Sequence, residues 1–113
     1  MKTTLRAAVS MTALFLGSSV FAASALEEGK KIAFNVTKGS CVTCHMMDDG
    51  AQPGNYGPPL MQMKLRYPNK ADLRKQIWDA TQRNPMTTMP PFGPHRILTE
   101  QEIDLVTEYV HSL

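Results

Sequence analysis

The sequence predicts an all-α domain of short helices and long loops, wrapped around something that is not a side chain. Three observations lead there. Apolar residues recur at three- and four-residue steps in the segments 26–37, 69–83 and 99–113, the period of one helix face. No segment alternates apolar and polar residues as a half-buried strand does. The connections are long and rich in Gly, Pro, Asp and Asn, more loop than so small a core accommodates unless another group fills its centre.

The 113 residues hold one domain at most. They begin MKTTLRAAVSMTALFLGSSVFAASA, with basic residues at Lys2 and Arg6 and an apolar run from Ala7 to Phe21. Small residues then offer cleavage after Ala22 or after Ala25. That is the layout of a secretory signal peptide over residues 1–25, and the run is short for a membrane span. An uncleaved anchor is the alternative. Removing 25 of the 113 residues leaves 88, the expected mature domain 26–113, with no other segment apolar enough to cross a bilayer. The removal takes Lys2 and Arg6 from the 12 basic residues and leaves 10 against 10 acidic. A chain so near neutrality gives no case for nucleic acid or a polybasic membrane anchor. Its core is marginal, and such domains are usually held by disulfides, a metal or a cofactor.

Residues 26–37 read as a short helix with Leu26, Ile32, Ala33 and Phe34 on its apolar side. Residues 46–68 read as mostly loop. Asn69 suits an N-cap with Asp72 at N3, and Leu73, Ile77 and Ala80 continue at helical spacing to about Arg83, where Pro85 stops the helix. The last helix is the clearest. Thr99-Glu100-Gln101-Glu102 is a capping box, Leu98 and Ile103 are placed as a hydrophobic staple, and Ile103, Val106, Tyr109, Val110 and Leu113 form one face.

Cys41-Val42-Thr43-Cys44-His45 is C-x-x-C-H, the attachment signature of c-type haem. Two cysteines three apart lie on one face of a helical turn, where both sulfurs reach the vinyl groups as thioethers and the next histidine turns toward the iron. The competing readings are weaker. A thioredoxin-like CxxC sits in a βαβ context, which is missing, and a zinc site needs four ligands, with only His95 and His111 left to help. Cys41 and Cys44 are therefore expected to bind one haem covalently, with His45 as the proximal axial ligand.

The sixth iron position draws attention to NPMTTMPPFG, Asn84 to Gly93. Met46 and Met47 follow the histidine directly and cannot reach round to the opposite face. Met61 and Met63 follow the segment GPPL, which runs on the histidine side if Pro58 has the role described below. Met86 and Met89 remain. Pro90 holds Met89 extended and Pro91 stiffens the chain beyond, so Met89 is the expected distal ligand. Met86 and His95, on the same loop, are the alternatives. Methionine–histidine ligation raises the reduction potential and fills the site that oxygen or peroxide would use, which argues for electron transfer.

The combination CVTCH, GPPL (Gly57 to Leu60) and a late Met-Pro resembles the class I cytochromes c. The resemblance implies that the Pro58 carbonyl orients His45, that Leu60 packs on the haem, and that the first and last helices cross at Gly29 and Tyr109. More narrowly, GNYGPPL, RYPNKADLRKQIWDATQRNP and MPPFGPHRILTEQEIDLV are similar to SoxX, the monohaem subunit of periplasmic SoxAX complexes. SoxAX members are thiosulfate-dependent L-cysteine S-thiosulfotransferases, joining thiosulfate oxidatively to a cysteine of the carrier SoxYZ, with the electrons leaving through haem. The resemblance implies a periplasmic protein, a SoxA-type haem subunit as heterodimer partner, and transient contact with SoxYZ and a small acceptor cytochrome. The residue count agrees with a division of labour. Once both cysteines carry haem no thiol remains, so no catalytic residue is expected here and the sulfur chemistry falls to the partner.

Other features are less specific. Arg96 is a candidate for a haem propionate or a partner, against an exposed cation before a helix. His111 reads as a cation at a helix end. Lys64, Arg66, Lys70, Arg74 and Lys75 against Asp72 make a local excess of +4, while Glu100, Glu102, Asp104 and Glu108 make the last helix acidic. Trp78 reads as core, facing the haem edge. A freely diffusing electron carrier and a haem-based ligand sensor are the rival functions.

Overall fold

In the computed structural model, residues 17–113 are described. Lys2, Arg6 and most of the apolar run of the expected signal peptide lie outside them. Four helices occur: α1 (Gly17–Phe34), α2 (Met63–Arg66), α3 (Lys70–Trp78) and α4 (Glu100–Ser112), with 3-10 turns at Cys41–Thr43 and Ala80–Gln82 and no strand among the described residues.

The start of α4 follows from its sequence. The Thr99 hydroxyl accepts from the Glu102 N–H (3.2 Å), and the Glu102 carboxylate accepts from the Thr99 N–H (2.9 Å). Lys38 also donates to this carboxylate, and these bonds hold Glu102 below the usual carboxylate range. Leu98 and Ile103 are both buried, closing the staple. Ile103, Val106, Tyr109 and Val110 then form the inward face.

α1 crosses α4 at Gly29. A Cβ placed there would stand 2.1 Å from the Leu105 carbonyl oxygen and 2.8 Å from Tyr109 Cβ, so only glycine permits the approach. Tyr109 packs edge-on against Phe34 (6.4 Å between centroids) and donates its hydroxyl to Asp48 (3.2 Å). Lys30 of α1 bridges Asp48 and Asp49, each at 2.8 Å, which ties the helix pair to the chain just after His45.

The helices end earlier than their apolar periodicity suggests. α1 stops at Phe34, three residues before Thr37, because the Asn35 side chain accepts the Thr37 N–H (2.9 Å) and offers a turn in place of the helix. α3 begins as expected, Asn69 capping the Ala71 N–H (3.0 Å), but ends at Trp78 rather than near Arg83. There Asp79 is extended (φ −155°) and its carboxylate caps Thr81, starting a separate turn. α2 is a single turn inside the segment read as loop, entered through Gln62 in a left-handed conformation (φ 53°).

The charge excesses read from the sequence neutralise each other across α3 and α4. Arg74 pairs with Glu100 and with Asp104 (2.6 Å), and Lys70 with Glu108 (2.5 Å). Such exposed pairs contribute little individually. The core consists of Ala33, Met47, Met63, Leu73, Ile77, Phe92 and Leu98 packed on the inward face of α4.

Candidate haem site

The C-x-x-C-H segment is a helical turn entered through a left-handed Ser40 (φ 49°). The Cys44 and His45 N–H groups both donate to the Cys41 carbonyl, at 3.1 and 2.9 Å. This turn brings Cys41, Cys44 and His45 together on one wall of a cleft of about 390 Å³. Leu60, Met63, Leu73, Ile77, Phe92 and Val106 supply apolar walls.

The segment Gly54–Leu60 runs against that turn through backbone bonds: Gly54 N–H to Val42 (3.0 Å), Gly57 N–H to Cys44 (2.8 Å) and Leu60 N–H to Met46 (2.8 Å). Gly57 lies under the imidazole, where a Cβ would stand 2.2 Å from the ring. His45 Nδ1 is 2.7 Å from the Pro58 carbonyl oxygen. A carbonyl only accepts, so Nδ1 carries the proton and Nε2 keeps the lone pair, the tautomer that ligates a metal.

Burial pushes the Cys41 thiol up to about 11. An apolar wall that opposes a thiolate suits a neutral thioether sulfur, the species for which the free thiol stands here. It does not suit an exchange nucleophile, which acts as the thiolate. Among the described residues no three His, Cys, Asp or Glu side chains converge to hold a metal ion directly. The residues present thus fit a flat, largely apolar group attached through sulfur, with His45 offering a nitrogen to its metal.

The methionine loop separates its two candidates. Met89 is half-buried and lines the cleft, its N–H bonded to the Thr87 hydroxyl (3.1 Å). Met86 points away and is 87 % exposed. His95 is exposed and does not line the cleft. Arg96 is likewise exposed outside it, so the cation on the cleft wall is Arg66, beside Tyr67, and not Arg96. Trp78 does not line the cleft either. Gly93 packs on its indole, where a Cβ would be 2.1 Å from the ring, and the Gly93 N–H donates to the Trp78 carbonyl (3.0 Å). Trp78 therefore supports the methionine loop from behind. His111 is not merely a charge at a helix end, since its Nε2 lies 3.0 Å from the Tyr67 carbonyl.

A family model, Cytochrome c, matches residues 26–113, and the chain belongs to that family. Membership implies covalently bound haem c and makes this a haem electron-transfer protein. No curated protein matches the sequence closely enough to count as a relative.

Proposed function

We propose that the chain is the single-haem electron-transfer subunit of a periplasmic SoxAX-type complex, in which thiosulfate is joined oxidatively to a carrier cysteine. The reading rests on the likeness of GNYGPPL, the Trp78 helix and MPPFGPHRILTEQEIDLV to SoxX, together with the absence of any cysteine beyond Cys41 and Cys44. A chain without a spare thiol forms no sulfur–cysteine bond itself. It acts as the electron exit for a SoxA-type partner that does.

Haem bound in the cleft supplies one iron that takes up and releases a single electron. Cys41 and Cys44 would anchor it and His45 would present Nε2, its ring fixed by the Pro58 carbonyl. Met89 presents its thioether from a loop stiffened by Pro90 and Pro91 and backed by Trp78. Both side chains are held by constrained backbone, so they would need to move little as the group took up or released an electron. Apolar walls from Leu60, Leu73, Ile77, Phe92 and Val106 would surround the group.

The test is to tag the chain in its native host, grow cells on thiosulfate, and isolate it from the periplasm under gentle salt. A stoichiometric second c-type cytochrome with a modified cysteine is the expected companion. A lone monomer would favour a diffusing carrier.

A further inference from the structure

We infer that Arg66 is a positioning residue for the axial histidine: its guanidinium fixes the Pro58–Pro59 segment on which the His45 hydrogen bond depends. The inference rests on His45 being the proximal ligand, as proposed above, and goes beyond it.

The argument starts from what two consecutive prolines lack. Pro58 and Pro59 have no N–H, so the backbone of this segment is anchored only through its carbonyl oxygens. Its flanks are tied down, Gly57 N–H to Cys44 and Leu60 N–H to Met46, both at 2.8 Å. Between them, the Pro58 carbonyl accepts from His45 Nδ1 and the Pro59 carbonyl accepts from Arg66 Nη1, each at 2.7 Å. Both prolines are exposed, so water competes for the His45 bond unless the carbonyl is held in place.

Arg66 is well placed to hold it. The same Nη1 lies 3.4 Å from the Met63 sulfur, and Met63 is fully buried. The base of the arginine is fixed in turn: Gln62 N–H donates to the Leu113 carbonyl (2.9 Å), and His111 bonds the Tyr67 carbonyl (3.0 Å). α2 is thus docked on the C-terminal end of α4. Arg66 lines the cleft and donates to the Pro59 carbonyl, so its charge is directed to that carbonyl and the cleft. A charge-assisted bond to the neighbouring carbonyl holds an exposed segment better than neutral contacts do. The chain of contacts runs from α4 through α2 to the prolines and so to the proton on His45.

The experiment follows the His45 Nδ1 proton by NMR in the haem-loaded protein. In the wild type this resonance is expected to shift with oxidation state and to exchange slowly with solvent. Failure to shift would remove His45 as ligand, and with it the reading beneath the proposal. In Arg66→Leu the shift persists but exchange becomes on the order of tenfold faster, the equivalent of one charged hydrogen bond lost nearby. The backbone amides of Cys44 and Gly57 keep their wild-type rates. Where leucine prevents haem attachment, Arg66→Gln, whose amide is too short to span the same gap, gives the same comparison. An unchanged Nδ1 rate overturns the proposal, even if the reduction potential moves in a salt-dependent way, because Arg66 then acts only as a charge. Equal acceleration of the Nδ1 proton and those amides overturns it too, because the effect is then general loosening.

Discussion

Met86 and Met89 stand three residues apart on one loop, yet only Met89 lines the cleft, while Met86 is 87 % exposed. Met89→Ala is expected to free the sixth iron position, so that the reduced protein binds carbon monoxide and its spectrum changes on exposure to the gas. Met86→Ala is expected to leave the spectrum six-coordinate and unreactive. A reversed pair of results would reassign the ligand. At this scale the legible residues were those whose chemistry demands fixed spacing. C-x-x-C-H names its members in one pentapeptide, and proline restricts the residue before it. Arg66 was not legible, because its partner is a backbone carbonyl seven residues earlier and carbonyls leave no trace in composition. Arg96 drew attention only by following the methionine loop. At φ 55° it stands in a turn that carries its side chain outside the cleft.

The crossing of α1 and α4 is where a helix rule and a packing rule disagree. Within a helix, Gly→Ala ordinarily gains about 1 kcal/mol from propensity. At Gly29 the added Cβ would stand 2.1 Å from a backbone oxygen, and backbone yields less readily than a flexible side chain. Overpacking of this kind costs about 1–3 kcal/mol or more, so Gly29→Ala is expected to lower the urea midpoint with an unchanged slope. A raised midpoint would mean that the helices do not approach here. The sequence carried the existence and starting points of α3 and α4, since Asn69 and Thr99 are caps with local partners. It carried the ends less well. Asn35 and Asp79 end their helices by hydrogen-bonding locally, while the apolar spacing runs on past both. α2 is too short for any periodicity to show. It is held by the Leu113 carbonyl, 51 residues away in sequence from Gln62 (113 against 62).

For the whole molecule, a core to which all four helices contribute borders a cleft of about 390 Å³. The sequence anticipated this from the disproportion between loop and core. A domain of this size is only marginally stable, by about 5–15 kcal/mol. The surface ion pairs between α3 and α4 add little to this, being exposed and individually weak. Haem would lie against the same core residues that line the cleft, so folding is expected to depend on it. The Cys41→Ala, Cys44→Ala double variant, purified free of haem, should lose most of its far-ultraviolet helical signal and melt without a cooperative transition. The loaded wild type should unfold in a single step. Cooperative melting of the haem-free variant would show instead that α1 crossing α4 at Gly29 suffices to hold the fold. Haem would then be a guest in a preformed site, and its loss would alter redox behaviour without altering stability.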